Sequence, residues 1–107
     1  MKVTFRQIGG FVPMALGCSL DSADLPPADA ARLRSLVEGS GFWSLGDARL
    51  PRAADVPTIW IDVDDDGRTH GVELSLIRVP DEVGPLVQFL RERSRNILDE
   101  LRGQGQR

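Results

Sequence analysis

Apolar residues at the start of the chain recur at every second position. Val3 and Phe5 fall in one phase, joined by Gln7, while Thr4, Arg6 and Ile8 fall in the other, and the run stops at Gly9-Gly10. A period of two marks a strand with one buried face. Between Phe11 and Leu20 the alternation returns through Met14, Leu16, Cys18 and Leu20. Pro13 assigns the beginning of that stretch to an edge or turn, because it offers no amide hydrogen to a ladder. The two strands are expected to pair antiparallel across the glycines.

The period then changes. Leu25-Pro26-Pro27 fixes the backbone where a helix tolerates a missing amide hydrogen. Ala30, Leu33, Leu36 and Val37 follow at helical spacing until Gly39 and Gly41 end the run. Phe42, Trp43 and Leu45 read as a plug folded back on the core, and residues 46–56 follow neither period, which predicts an exposed loop. Ile59, Ile61 and Val63 alternate up to Asp64-Asp65-Asp66-Gly67, a hairpin turn signal, and His70, Val72, Leu74 and Leu76 resume the alternation beyond it. Pro80-Asp81-Glu82 opens a last helix with the stripe Val83, Leu86, Val87, Leu90, Ile97 and Leu101, with Gly84-Pro85 signalling a kink or a late start. The order ββαββα predicts an α+β fold: a four-stranded, mostly antiparallel sheet with two helices packed on one face.

Composition narrows the function classes. A length of 107 residues suits one hydrophobic core, with residues 104–107 expected to fray beyond a domain spanning 1–103. The formal net charge of −3 argues against a nucleic-acid partner, which needs a clustered positive field. Arg91, Arg93 and Arg95 are interleaved with Glu92 and followed by Asp99 and Glu100, the mixed pattern of a solvated helix face. No apolar run reaches the length of a membrane span, and the amino terminus alternates like a strand and lacks the apolar core of a signal peptide. The expectation is a cytoplasmic monomer with no membrane partner.

Candidate chemistry is sparse. Cys18 is the one cysteine and His70 the one histidine, so no intramolecular disulfide can form, no zinc or redox spacing exists, and a Cys/His pair would need residues from separate segments. The Asp62 to Gly67 stretch is flanked by strand alternation instead of the two helices that frame a calcium loop, and it reads as a hairpin turn. Gly9-Gly10 lacks the further glycine and helix start of a phosphate cradle. No serine sits in a strand-to-helix elbow for His70 to serve. These residues assign no catalytic role, no cofactor and no metal to the chain; they describe a binding protein.

Five segments in fixed order make the pattern specific: Ile8-Gly9-Gly10-Phe11, Leu25-Pro26-Pro27, Phe42-Trp43-Ser44-Leu45, Asp66-Gly67-Arg68-Thr69-His70 and Val79-Pro80. Together they resemble the emfourin family, small bacterial inhibitors of protealysin and related thermolysin-like metalloproteases. The resemblance covers roughly residues 2–90, with departures at Ile8, at Val56-Pro57 and at Gly71, where the family has a β-favouring residue. It implies a proteinaceous inhibitor whose partner is a thermolysin-like metalloprotease.

A catalytic zinc keeps one coordination position open, which an inhibitor can occupy with an oxygen. The polar, proline-stiffened segment Asp21, Ser22, Ala23, Asp24, Leu25 and Pro26 suits that task. Asp24 would offer a carboxylate or carbonyl, and Leu25 an apolar side chain for the specificity pocket such proteases have. The same residues also read as a helix cap and a hydrophobic staple, with Leu25 turned to the core. Gly9, Gly10 and Phe11, together with Asp65 and Asp66, form secondary contact candidates. The alternative function is a non-catalytic adaptor that binds a protein through an exposed sheet edge.

Overall fold

The computed structural model describes residues 1–10, 15–48 and 56–98. Its elements are β1 (Lys2–Ile8), β2 (Ala15–Asp21), α1 (Pro27–Gly39), β3 (Thr58–Asp65), β4 (Arg68–Ser75), α2 (Gly84–Glu92) and a short β5 (Arg95–Asn96). Among the described residues the strands form one five-stranded antiparallel sheet in the order β4-β3-β1-β2-β5. The first strand of the chain is therefore the central one.

Alternation decides which face is buried. Val3 lies opposite Leu20 on one side and Val63 on the other, and Phe5 opposite Cys18 and Ile61, so one phase of every strand converges on the same face. There Val3, Phe5, Ile59, Ile61, Val63, Val72 and Leu74 pack with Leu33 and Val37 of α1 and with Leu86, Val87, Phe89 and Leu90 of α2. Each such side chain contributes about 1.5–3 kcal/mol by leaving water. Gln7 shares this buried face at the end of β1, and its Oε1 accepts a hydrogen bond from Arg91 Nη2 at 3.0 Å. The opposite face is polar: Trp60 Nε1 donates to Glu73 Oε1 at 2.8 Å, and the Arg6 guanidinium lies 5.5 Å from the Trp60 ring centroid.

Helix α1 begins with Pro27 in its first turn and ends where Gly41 takes φ 68°. Only glycine occupies that left-handed region without a Cβ penalty. The reversal drives Phe42, fully buried, against the core. The Phe42 ring meets those of Trp43 and His70 edge-on, with centroids 5.9 and 5.3 Å away. His70 projects from the buried face of β4, and its Nε2–H donates to the Leu45 carbonyl at 2.6 Å. The aromatic plug is a structural unit, and His70 is one of its parts.

Two expectations need correction. The sheet has a fifth strand, and the helix that follows Pro80 stops before Ile97. Residues Asp81–Val83 form a single 3-10 turn, α2 starts at Gly84, and the helix ends at Glu92. Ser94 Oγ donates to the Leu90 carbonyl at 2.8 Å and Arg93 Nη1 to the Phe89 carbonyl at 3.2 Å, satisfying acceptors that a continuing helix would have used. The chain then pairs Arg95 with Gly17 and Asn96 with Leu16, and Ile97 is buried beside Gly17. Ile97 fits the helical stripe and a strand alternation equally well, and the missing side chain at Gly17 selects the strand. Strand β2 is described from Ala15 onward; Phe11, Pro13, Met14 and Leu101, like residues 49–55 of the expected loop, lie outside the described residues.

Candidate functional site

The central position of β1 determines which loops meet. Lys2 pairs with Asp21 of β2 and with Asp64 of β3, so the β2–α1 connection and the β3–β4 turn flank the same end of β1. Asp66 (φ 53°) and Gly67 (φ 84°) make that turn, the left-handed pair that a two-residue hairpin favours. Of the secondary candidates, Asp65 and Asp66 therefore lie next to the main segment. Gly9 and Gly10 lie at the far end of β1, about 20 Å away at the usual strand rise, and Phe11 lies outside the described residues. The two groups do not form one patch.

The segment 21–26 is held from several sides. Asp21 Oδ1 accepts from the Ala23 amide at 3.0 Å, and residues Ser22–Asp24 form a 3-10 turn closed by Leu25 N–H to the Ser22 carbonyl at 3.4 Å. The Ser22 amide donates to the Met1 carbonyl at 2.8 Å, and the Met1 amino group donates to Ser22 Oγ at 3.0 Å while lying 3.7 Å from Asp65 Oδ1. Arg34 of α1 donates to Asp65 Oδ2 at 3.0 Å, and this hydrogen bond holds the Asp65 carboxyl below its ordinary pKa. Arg34 thus fastens the hairpin turn to the helix that follows the loop. Its role was hidden in the sequence because 31 positions separate it from Asp65.

Leu25 packs partly buried against the core, as the hydrophobic staple would have it, while Ala23, Asp24 and Pro26 are exposed. The outward chemistry of the segment is therefore the Asp24 carboxylate on a short, fixed turn, with no large apolar side chain beside it. Among the described residues no group of three or more His, Cys, Asp or Glu side chains is placed to hold a metal ion. Likewise, no described helix is long and apolar enough to cross a membrane.

The sheet edges bear on the adaptor alternative. Asp47 and Ala48 lie along β4: Ala48 N–H donates to the Glu73 carbonyl at 3.0 Å, Ser75 N–H to the Ala48 carbonyl at 2.7 Å, and Glu73 N–H to Asp47 Oδ1 at 2.8 Å. At the other edge β5 covers Leu16 and Gly17 of β2, and Ile97 N–H donates to the Ala15 carbonyl at 2.9 Å. Both edges are in part already occupied by the chain itself, which shortens the ladder open to a partner strand.

The emfourin family model matches residues 5–91. The chain belongs to the emfourin family. Membership in this family of protealysin inhibitors carries a protease-inhibitor role and makes the chain a binding protein, not an enzyme. The emfourin match takes in segment 21–26, the Asp65-Asp66 turn and Gly9-Gly10-Phe11, and it stops before β5 and Ile97. No curated protein and no solved structure matches this emfourin.

Proposed function

We propose that this emfourin inhibits a thermolysin-like zinc metalloprotease by seating residues 21–26 in the active-site cleft, with Asp24 directed at the metal. The observation that carries the reading is a turn fixed before binding. Asp21, Ser22 and Leu25 are spent on internal contacts, so Ala23 and Asp24 are presented on a backbone with little freedom left to lose. Pre-organisation of that kind lowers the entropic cost of docking. An exposed carboxylate is a suitable oxygen ligand for the open position of a catalytic zinc. Leu25 acts from behind as the anchor of the turn, and Asp65 and Asp66 border the same end of the sheet.

The test is inhibition of a purified thermolysin-like protease by the wild type and by two variants. Asp24→Ala is expected to raise the inhibition constant about ten- to a hundredfold, the range for losing an interaction with a charged group, without altering the thermal transition. Undiminished inhibition by Asp24→Ala, with a loss on Phe11→Ala instead, would move the contact to the Gly9 end. A wild type that inhibits no such protease would leave the adaptor reading, for which the partly covered edges leave little room.

A further inference from the structure

At the end of β3 the Asp65 side chain is only 18% exposed, and both of its oxygens are engaged. Oδ2 accepts from Arg34 Nη1 at 3.0 Å, and Oδ1 lies 3.7 Å from the Met1 nitrogen. That nitrogen donates to Ser22 Oγ at 3.0 Å, while the Met1 carbonyl accepts from the Ser22 amide at 2.8 Å. Ser22 in turn opens the 3-10 turn that carries Ala23 and Asp24, and its carbonyl closes that turn onto the Leu25 amide. A continuous line of contacts therefore runs from α1 through the hairpin and the start of β1 to the turn. Arg68, the other side chain whose charge acts on Asp65, is drawn away from it: the guanidinium lies 3.7 Å from the Trp43 ring centroid and 4.0 Å from Glu38 Oε1.

The geometry assigns Asp65 and Arg34 the role of positioning residues in inhibition: through Met1 and Ser22 they hold the turn 22–24 in its docking shape without touching the protease. The inference rests on the inhibitory reading above and extends it to residues outside segment 21–26. Asp65 can serve a partner only by releasing Arg34 and the Met1 nitrogen, whereas Asp24 is exposed and carries the contact. Without the Asp65 charge, the Met1 nitrogen loses the group that orients it toward Ser22, and the turn is closed in a smaller fraction of molecules. A protease that accepts only the closed turn binds in proportion to that fraction. The loss falls on the association rate, because the complex once formed keeps every contact it had. Removal of a direct contact falls instead on the dissociation rate. Since the ion pair is partly exposed, the expected effect is about two- to fivefold.

Amide hydrogen exchange on the full chain, without protease, is the first test. Exchange at Ala23 and Leu25, whose amides are bonded within the turn, should quicken about two- to fivefold in Asp65→Asn and in Arg34→Met. Binding kinetics against a purified thermolysin-like protease are the second. Both variants should associate more slowly by the same factor and dissociate as the wild type does, whereas Asp24→Ala should dissociate faster. Arg34→Lys, which keeps a cation beside Asp65, should recover most of the association rate. The double variant Asp65→Asn/Arg34→Met should be no slower than either single one, because both break the same link. Unchanged exchange at Ala23 and Leu25 in Asp65→Asn would overturn the inference. So would a faster dissociation of Asp65→Asn, which would make Asp65 a contact of the protease. A wild type that inhibits no such protease would overturn the role in inhibition together with the reading beneath it; that failure is told apart by exchange that still quickens in Asp65→Asn.

Discussion

Two strand glycines, Gly17 of β2 and Gly71 of β4, should answer the same substitution in opposite directions. A Cβ at Gly17 would lie 2.8 Å from Ile97 Cδ1 and 3.1 Å from the Phe5 carbonyl oxygen. The carbonyl belongs to the central strand and cannot yield, and moving Ile97 uncovers a buried side chain. Overpacking of this sort costs about 1–3 kcal/mol. At Gly71 the obstacle is the Asp62 carboxylate, the far end of an exposed side chain that can rotate into water. Gly71→Ala should therefore gain about 0.5–1 kcal/mol from the lower entropy of the unfolded chain. The variants should separate by about 2 kcal/mol or more, which a urea titration resolves and which corresponds to roughly 4–8 °C per kcal/mol in the melting temperature. Gly17→Ala should also lose amide-exchange protection at Ile97, whose N–H is bonded to Ala15. A Gly17→Ala protein as stable as the wild type, with Ile97 still protected, would refute the account of how β5 is docked.

Phe42→Ala should cost about 3–5 kcal/mol in denaturant titrations, because the ring is fully buried and holds both Trp43 and His70 edge-on. Burial pushes the Cys18 thiol above its ordinary pKa, and Sγ–H donates to the Leu90 carbonyl at 3.4 Å, so thiol labelling at neutral pH should be slow in the folded protein and fast in denaturant. The Asp65 pKa is depressed by Arg34, so the stabilisation from that pair is present above the ordinary carboxylate range and disappears as the pH falls through the folded value. A carboxyl NMR titration should find the Asp65 midpoint below 3.8 in the wild type and moved upward in Arg34→Ala.

The elements that neighbouring residues specify were readable from the chain alone. Strands β1, β3 and β4 follow from alternation, the hairpin from Asp66-Gly67, and the limits of α1 from Pro27 and from Gly39 and Gly41, because each depends on sterics and hydrogen bonds within a few positions. The same holds for the aromatic plug, in which Phe42 is buried and Trp43 and Leu45 pack against the core. The joint order of five short segments led to the family, which the match over residues 5–91 establishes.

Contacts between distant positions were a different matter. Ile97 satisfied two periodicities at once, and only the gap above Gly17 in a neighbouring strand decided between helix and sheet. Leu25 could as well have turned outward as inward until α1 was laid on the sheet and enclosed it. Asp65 came to lie beside Ser22, and Gly9 away from both, because β1 took the centre of the sheet and sorted the loops to its two ends. Periodicity states which side of an element is apolar; which elements become neighbours is settled by the packing of those sides against one another, and the binding surface is composed of what that packing leaves outside.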